Sequence, residues 1–205
     1  MTAVNPLPNI LTWIRIIAGV AVFGLLAAAA LSDQLSSDVQ FGCELAAFFV
    51  FVVGALTDFF DGFLARKLHA ETDWGATLDP IADKILVCGT ILGLFAIGQS
   101  NRVIAIPAAL ILFREFTVSA LRESAAAHGR KLPVTFLAKW KTTAQLVALG
   151  AELLVANWAA LNFPEEAHDP ATLAAHTLLW IAALLTLWTG WQYVRAARTA
   201  LPHEA

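Results

Sequence analysis

Charge is what this chain has least of. Asp, Glu, Lys and Arg make up 14% of its 205 residues, against about 25% in a soluble domain. Hydrophobic residues supply 59% and the mean hydropathy is +0.69. Together these exclude an ordinary water-soluble globule. They point to an all-α integral membrane protein, a single transmembrane domain over residues 1–205. Cysteine is nearly absent: Cys43 and Cys88 both lie in apolar stretches. They read as small buried side chains, not as a disulfide or a metal pair. The five histidines show no ligand-like spacing. No internal repeat or low-complexity tract occurs. No basic residue precedes the first apolar run, and Arg15 sits inside it, so the run reads as a spanning helix and not a cleaved leader.

Six apolar stretches are long enough to cross a bilayer: residues 10–31, 41–68, 78–97, 103–127, 137–155 and 171–197. Asn9 is placed to cap the first. Residues 69–77 read as a polar connection between the second and third. The Lys/Arg bias tests the topology. Arg66, Lys67, Arg130 and Lys131 follow the second and fourth spans, Lys139 and Lys141 open the fifth, and Arg195 and Arg198 are near the C-terminus. The loops after the first and fifth spans have no Lys or Arg, and the loop after the third has only Arg102. That alternation puts both termini on the cytoplasmic side. Trp13, Trp74, Trp140, Trp191 and Tyr193 then fall near that boundary as an aromatic belt, with Trp158 near the other.

Between the second and third apolar stretches lies TDFFDGFLARKLHAETDWGATLDPIADK, residues 57–84. Asp58 and Asp61 are i, i+3, and Asp79 and Asp83 are i, i+4, so each pair shares a helix face. Two antiparallel helices with such faces would gather four carboxylates. Unpaired, they would repel strongly; with one or two divalent cations they make a hard-oxygen metal site. Surface decoration is a poor account of acids flanked by FVFVVGAL and ILVCGTIL.

The pattern Asp58-x2-Asp61-Gly62-x2-Ala65-Arg66-x8-Gly75-x3-Asp79-x3-Asp83 resembles the signature of the CDP-alcohol phosphatidyltransferases, with all eight fixed positions filled. The resemblance implies a six-transmembrane-helix bundle in which an alcohol displaces CMP from a CDP-linked lipid. It implies Mg²⁺ or Mn²⁺, two ions, held by Asp58, Asp61, Asp79 and Asp83. It makes Asp83 the base for the acceptor hydroxyl as well. Gly62 and Ala65 would leave room for the cytidine diphosphate, Arg66 would contact it, and Gly75 would keep its approach clear. Thr57 is a further candidate for the nucleotide, although a helical Thr often bonds its own backbone.

Within that family, the opening NPLPNILTWIRI, the stretch RE-x2-VSALRE (114–123) and KWKTTAQ (139–145) resemble the phosphatidylglycerophosphate synthases. The one departure is Ala138, where these synthases often have Gly. The resemblance implies CDP-diacylglycerol as donor and sn-glycerol 3-phosphate as acceptor. It also implies a bacterial inner-membrane location, a cytoplasmic active site and a homodimer. Arg114, Arg122, Lys139 and Lys141 would form a basic pocket for the acceptor's phosphate. The residues alone leave other readings open. Arg114 can pair with Glu115, and the lysines can be positive-inside anchors. The acceptor can be inositol phosphate, serine or phosphatidylglycerol. A divalent-metal transporter and a catalytically silent homologue are readings from other classes.

Overall fold

The computed structural model describes residues 7–31, 36–68, 73–130 and 136–200; the side chains of residues 7–9, 59–68, 73–77, 136–139 and 200 lie outside that description. Six α-helices follow one another: α1 Leu7–Ala30, α2 Ser37–Leu68, α3 Asp73–Ala96, α4 Arg102–Ala127, α5 Phe136–Ala156 and α6 His168–Ala200. A one-turn 3-10 helix, Glu165–Ala167, precedes α6. No strand occurs among the described residues.

Several helices begin earlier than hydropathy alone indicates. α1 starts at Leu7, so Asn9 is inside its first turn and is not the cap. α2 starts at Ser37 and not near Phe41, with Asp38 in its first turn. α3 starts at Asp73, so the expected connection at 69–77 is half helical. For α2 and α3 the reason is shared: an acid in the first turn, Asp38 or Asp73, suits the positive end of a helix, so a polar run there need not be a loop. Asn101 does cap α4, its side-chain oxygen accepting from Val103 N–H at 2.9 Å and Ile104 N–H at 3.1 Å. Gly129 ends that helix in the left-handed region with φ 70°, and the Arg130 N–H returns to the Ala125 carbonyl at 2.9 Å. That pairing is the usual glycine stop.

The segments Ile10–Ala30, Ser37–Asp58, Arg102–Ala127 and Glu165–Thr199 are each long and apolar enough to cross a membrane. Large apolar side chains face outward along them, among them Ile17, Val20, Phe49, Val53, Phe113 and Trp188. In water that surface would aggregate; in a bilayer it meets lipid, and helices satisfy their own backbone groups there. The chain is a multi-pass membrane protein. α2 carries Asp58 and continues for ten residues beyond it, to Leu68. At 1.5 Å per residue the last ten residues extend it by about 15 Å.

The helices form two sets of three. α1 packs along both α2 and α3, and α6 packs along both α4 and α5. α5 touches α2 and α3, and α4 touches α3, which joins the sets. α2 and α3 also touch each other. α1 lies against both of the helices that carry the acids. The α1–α3 seam is close because Gly19, Gly89 and Gly93 line it. A β-carbon on Gly19 would lie 2.7 Å from the Leu86 backbone nitrogen, and one on Gly93 would lie 2.5 Å from Leu26 Cδ1. Small residues at such crossings let helices approach where lipid gives no hydrophobic drive. One core runs across both sets, from Val22, Leu26 and Phe51 through Leu86, Ile91 and Leu94 to Ile111, Leu149, Leu153 and Leu179. Cys43 and Cys88 are free and half-buried, less enclosed than expected.

Candidate active site

The apolar seam of α1 and α3 ends in polar contacts at the motif. Thr12 and Arg15, one turn apart on α1, are each 1% exposed. The Thr12 hydroxyl donates to Asp79 Oδ1 at 2.6 Å. Arg15 Nη1 donates to Asp83 Oδ1 at 2.6 Å and also lies 3.2 Å from Asp58 Oδ1. A single α1 nitrogen thus joins one carboxylate of α2 to one of α3. An Arg in an apolar span is costly unless paired, and these acids are what pair it. The sequence showed Arg15 only as a charge inside an apolar span; the role of Thr12 and Arg15 was missed.

Beside these acids a cavity of about 200 Å³ opens between α3, α4, α5 and α6. Asp79, Asp83 and Lys84 line one wall, Arg114, Glu115, Ser119 and Arg122 another, and Lys141, Thr142, Gln145 and Tyr193 close it. Three of the four expected acceptor-site cations, Arg114, Arg122 and Lys141, therefore stand with two of the motif acids around one space. The fourth, Lys139, is in α5, but its side chain is outside the described residues.

Arg114 is fixed from three sides. Its Nε donates to the Thr186 carbonyl at 3.1 Å, Nη2 donates to Thr189 Oγ1 at 3.1 Å, and Nη1 reaches Glu115 Oε1 at 3.3 Å. Its guanidinium carbon lies 5.6 Å from the Tyr193 ring centroid, a cation–π distance. Gly190 makes room for it, since a β-carbon there would come within 2.8 Å of Arg114 Cγ. Tyr193 is 4% exposed. It is a wall of the cavity and not part of an aromatic belt, unlike Trp13, Trp140 and Trp191, which are more than half exposed.

Glu115 is the residue sequence reasoning undervalued. It pairs with Arg114, as one reading allowed, but its shorter bond is to Lys141 Nζ, at 2.6 Å, and Gln145 Nε2 donates to the same oxygen at 3.1 Å. Gln145 also donates to Thr186 Oγ1 at 2.9 Å. One buried carboxylate thus orders two cations on different helices. A buried charge needs such partners, and the i+1 acid beside a buried Arg was the available signal. Arg122 and Lys84 line the cavity with no hydrogen-bond or ion-pair partner among the described residues.

The remaining expected residues divide simply. Asp61, Gly62, Ala65 and Arg66 lie in the last turns of α2 and Gly75 in the first turn of α3, and their side-chain surroundings are outside the described residues. The Thr57 hydroxyl donates to the Gly54 carbonyl at 2.7 Å, the backbone alternative for that residue.

Among the described residues, no three Asp, Glu, His or Cys side chains stand close enough to enclose an ion. The donor set nevertheless fits a hard divalent cation. Asp58 and Asp83 already share one positive nitrogen, Arg15 Nη1, between them. Carboxylate oxygens converging on a cationic centre are what Mg²⁺ or Mn²⁺ needs.

A family model described as CDP-alcohol phosphatidyltransferase matches residues 5–188. The chain belongs to the CDP-alcohol phosphatidyltransferase family. A CDP-diacylglycerol–glycerol-3-phosphate 3-phosphatidyltransferase of Cereibacter sphaeroides is 39% identical, covering 97% of this chain and 98% of that protein. The protein of the same name from Escherichia coli is 41% identical over 76% of this chain and 80% of its own length. The crystal structure of Mycobacterium tuberculosis phosphatidylinositol phosphate synthase with CDP-DAG bound has a TM-score of 0.58, at 20% identity over 97% of this chain and 91% of that one. At that identity the likeness is one of fold. The CDP-alcohol phosphatidyltransferase fold is thus common to a bundle read from sequence and one solved with a CDP-lipid in place.

Proposed function

We propose that this membrane enzyme transfers the phosphatidyl group from CDP-diacylglycerol to sn-glycerol 3-phosphate, releasing phosphatidylglycerophosphate and CMP. The observation that carries it is the shared cavity: Asp79 and Asp83 of the motif face Arg114, Arg122 and Lys141 across one space. The relatives at 39% and 41% identity support the choice of donor and acceptor.

The chemistry follows from charge. A diphosphate repels a nucleophile, and a phosphorylated acceptor adds negative charge of its own. Bound at Asp58, Asp61, Asp79 and Asp83, one or two Mg²⁺ or Mn²⁺ ions would neutralise the diphosphate and ease CMP departure. Arg114, Arg122, Lys139 and Lys141 hold the acceptor's phosphate, with Arg114 offering a planar fork already aimed by Thr186 and Thr189. Asp83, on the cavity wall, takes the proton of the acceptor hydroxyl as its oxygen bonds to the lipid-side phosphorus. The phosphorus–oxygen bond to CMP breaks in the same displacement. Thr57, Gly62, Ala65, Arg66 and Gly75 serve the CDP moiety. The site and both termini face the cytoplasm of a bacterial inner membrane, and the enzyme works as a homodimer.

A transporter would place its acids at mid-membrane on broken helices with access to both sides. Here α3 is continuous, and below Asp83 it enters the core through Leu86, Val87, Ile91 and Leu94.

The test is CMP release by purified protein in detergent with CDP-diacylglycerol, Mg²⁺ or Mn²⁺, and one acceptor at a time. Release with glycerol 3-phosphate alone, abolished by EDTA and restored by either metal, is expected. Release only with inositol phosphate, serine or phosphatidylglycerol would overturn the acceptor and keep the reaction class. No release with any acceptor would bring the transporter and silent-homologue readings forward.

A further inference from the structure

Arg15 stands where a metal ion would be expected to stand. A hard divalent ion sits about 2.0–2.6 Å from its carboxylate oxygens. Arg15 Nη1 is 2.6 Å from Asp83 Oδ1 and 3.2 Å from Asp58 Oδ1. An ion bonded to those same two oxygens would overlap the nitrogen. The two cations are therefore alternatives at this position, not neighbours. Thr12 differs. Its hydroxyl is a neutral donor to Asp79 Oδ1, and a carboxylate has lone pairs enough to keep such a bond while ligating an ion.

We propose that Arg15 is a resident cation. It holds the carboxylates of α2 and α3 together before the metal binds, and it withdraws from them as the ion arrives. This rests on the metal reading above. The arrangement answers a physical need. Asp58 and Asp83 come from different helices and lie close together, so without a cation between them they would repel. α1, packed along both helices, supplies that cation from a residue 1% exposed. The cost is competition: each metal-binding event must break an ion pair that is already made.

The competition gives an outcome with a definite sign. If Arg15 merely shaped the site, removing it would weaken metal binding. If it competes, Arg15→Gln should bind Mn²⁺ more tightly, by about tenfold, since one opposing charge has left the ligand set. Metal-free Arg15→Gln should also unfold at a lower temperature than wild type and gain more from added Mn²⁺. Arg15→Lys keeps the charge on a single-point donor without the fork, so its affinity should fall between the two.

The measurement is titration of the full-length protein in detergent with Mn²⁺ alone, followed by loss of the free-ion EPR signal. Thermal unfolding with and without Mn²⁺ is measured beside it. Should Arg15→Gln fail to fold, Arg15→Lys still reads the sign. Tighter binding in either variant supports the proposal. Equal or weaker binding in the variants, with wild type binding normally, overturns it and leaves the metal reading standing. No Mn²⁺ binding by any of the three proteins overturns both.

Discussion

Asp83 serves more than one partner. Its carboxylate bonds Arg15 of α1 and also faces the cavity. Asp83→Asn keeps the shape and removes the base. CMP release should fall about a hundredfold or more, while binding of CDP-diacylglycerol persists; normal turnover in that variant would refute the assignment. The cations of the pocket can be separated in the same way. Arg122 is exposed and has no partner among the described residues. Arg122→Ala should raise the apparent KM for glycerol 3-phosphate with the melting temperature unchanged. Arg114 is 8% exposed and held by Thr186, Thr189 and Glu115. Arg114→Ala should raise that KM further and also destabilise, by about 3 kcal/mol, because it breaks a buried charge network. Steady-state kinetics with each substrate varied, beside thermal unfolding, separate these cases. An equal effect of Arg114→Ala on both KM values would count against the pocket. At this scale the sequence disclosed the acids by their local spacing and Arg114 by its place in an apolar run. It could not disclose that Arg15 pairs with Asp83, or Lys141 with Glu115. Those partners are 68 and 26 residues apart, and no local period encodes which distant helix lies alongside.

Among the helices, the seam of α1 and α3 governs the acids. Thr12 and Arg15 reach Asp79 and Asp83 only if α1 lies close to α3, and glycines set that closeness. Gly19→Ala would put a β-carbon 2.7 Å from a Leu86 backbone atom, whereas Gly24 has nothing within 4 Å. The backbone of α3 cannot yield as a side chain can. Gly19→Ala should therefore cost about 1–3 kcal/mol, lower the melting temperature and reduce activity. Gly24→Ala should leave both unchanged. Equal behaviour of the two variants would mean that the seam does not set the site. The sequence announced the helices themselves clearly, because six apolar runs of spanning length have no other use in a chain this poor in charge. It was less informative about their ends. Ser37 and Asp73 read as loop because they are polar, yet they open helices.

For the molecule as a whole, the question is which side of the membrane the cavity faces. The cavity lies between two three-helix sets and is lined by the N-terminal part of α3, the C-terminal half of α4, the N-terminal part of α5 and the C-terminal part of α6. With those four ends around one cavity, α3 and α4 run antiparallel, as do α5 and α6. The basic residues cluster at the same ends: Lys84, Arg122, Arg130, Lys141, Arg195 and Arg198. The turn at Gln99 and Ser100 is at the opposite end of the bundle from His128, because α4 lies between them and is 26 residues long. At 1.5 Å per residue it spans about 39 Å, more than the hydrocarbon core. Cys43 and Cys88 can be replaced by Ala to leave a background without thiols. In that background Ser100→Cys should react with an impermeant maleimide added to bacterial cells with the outer membrane opened. His128→Cys should react only after the inner membrane is permeabilised. The opposite pattern would turn the cavity outward, away from a cytosolic phosphorylated acceptor, and would overturn the cytoplasmic orientation of the proposed site.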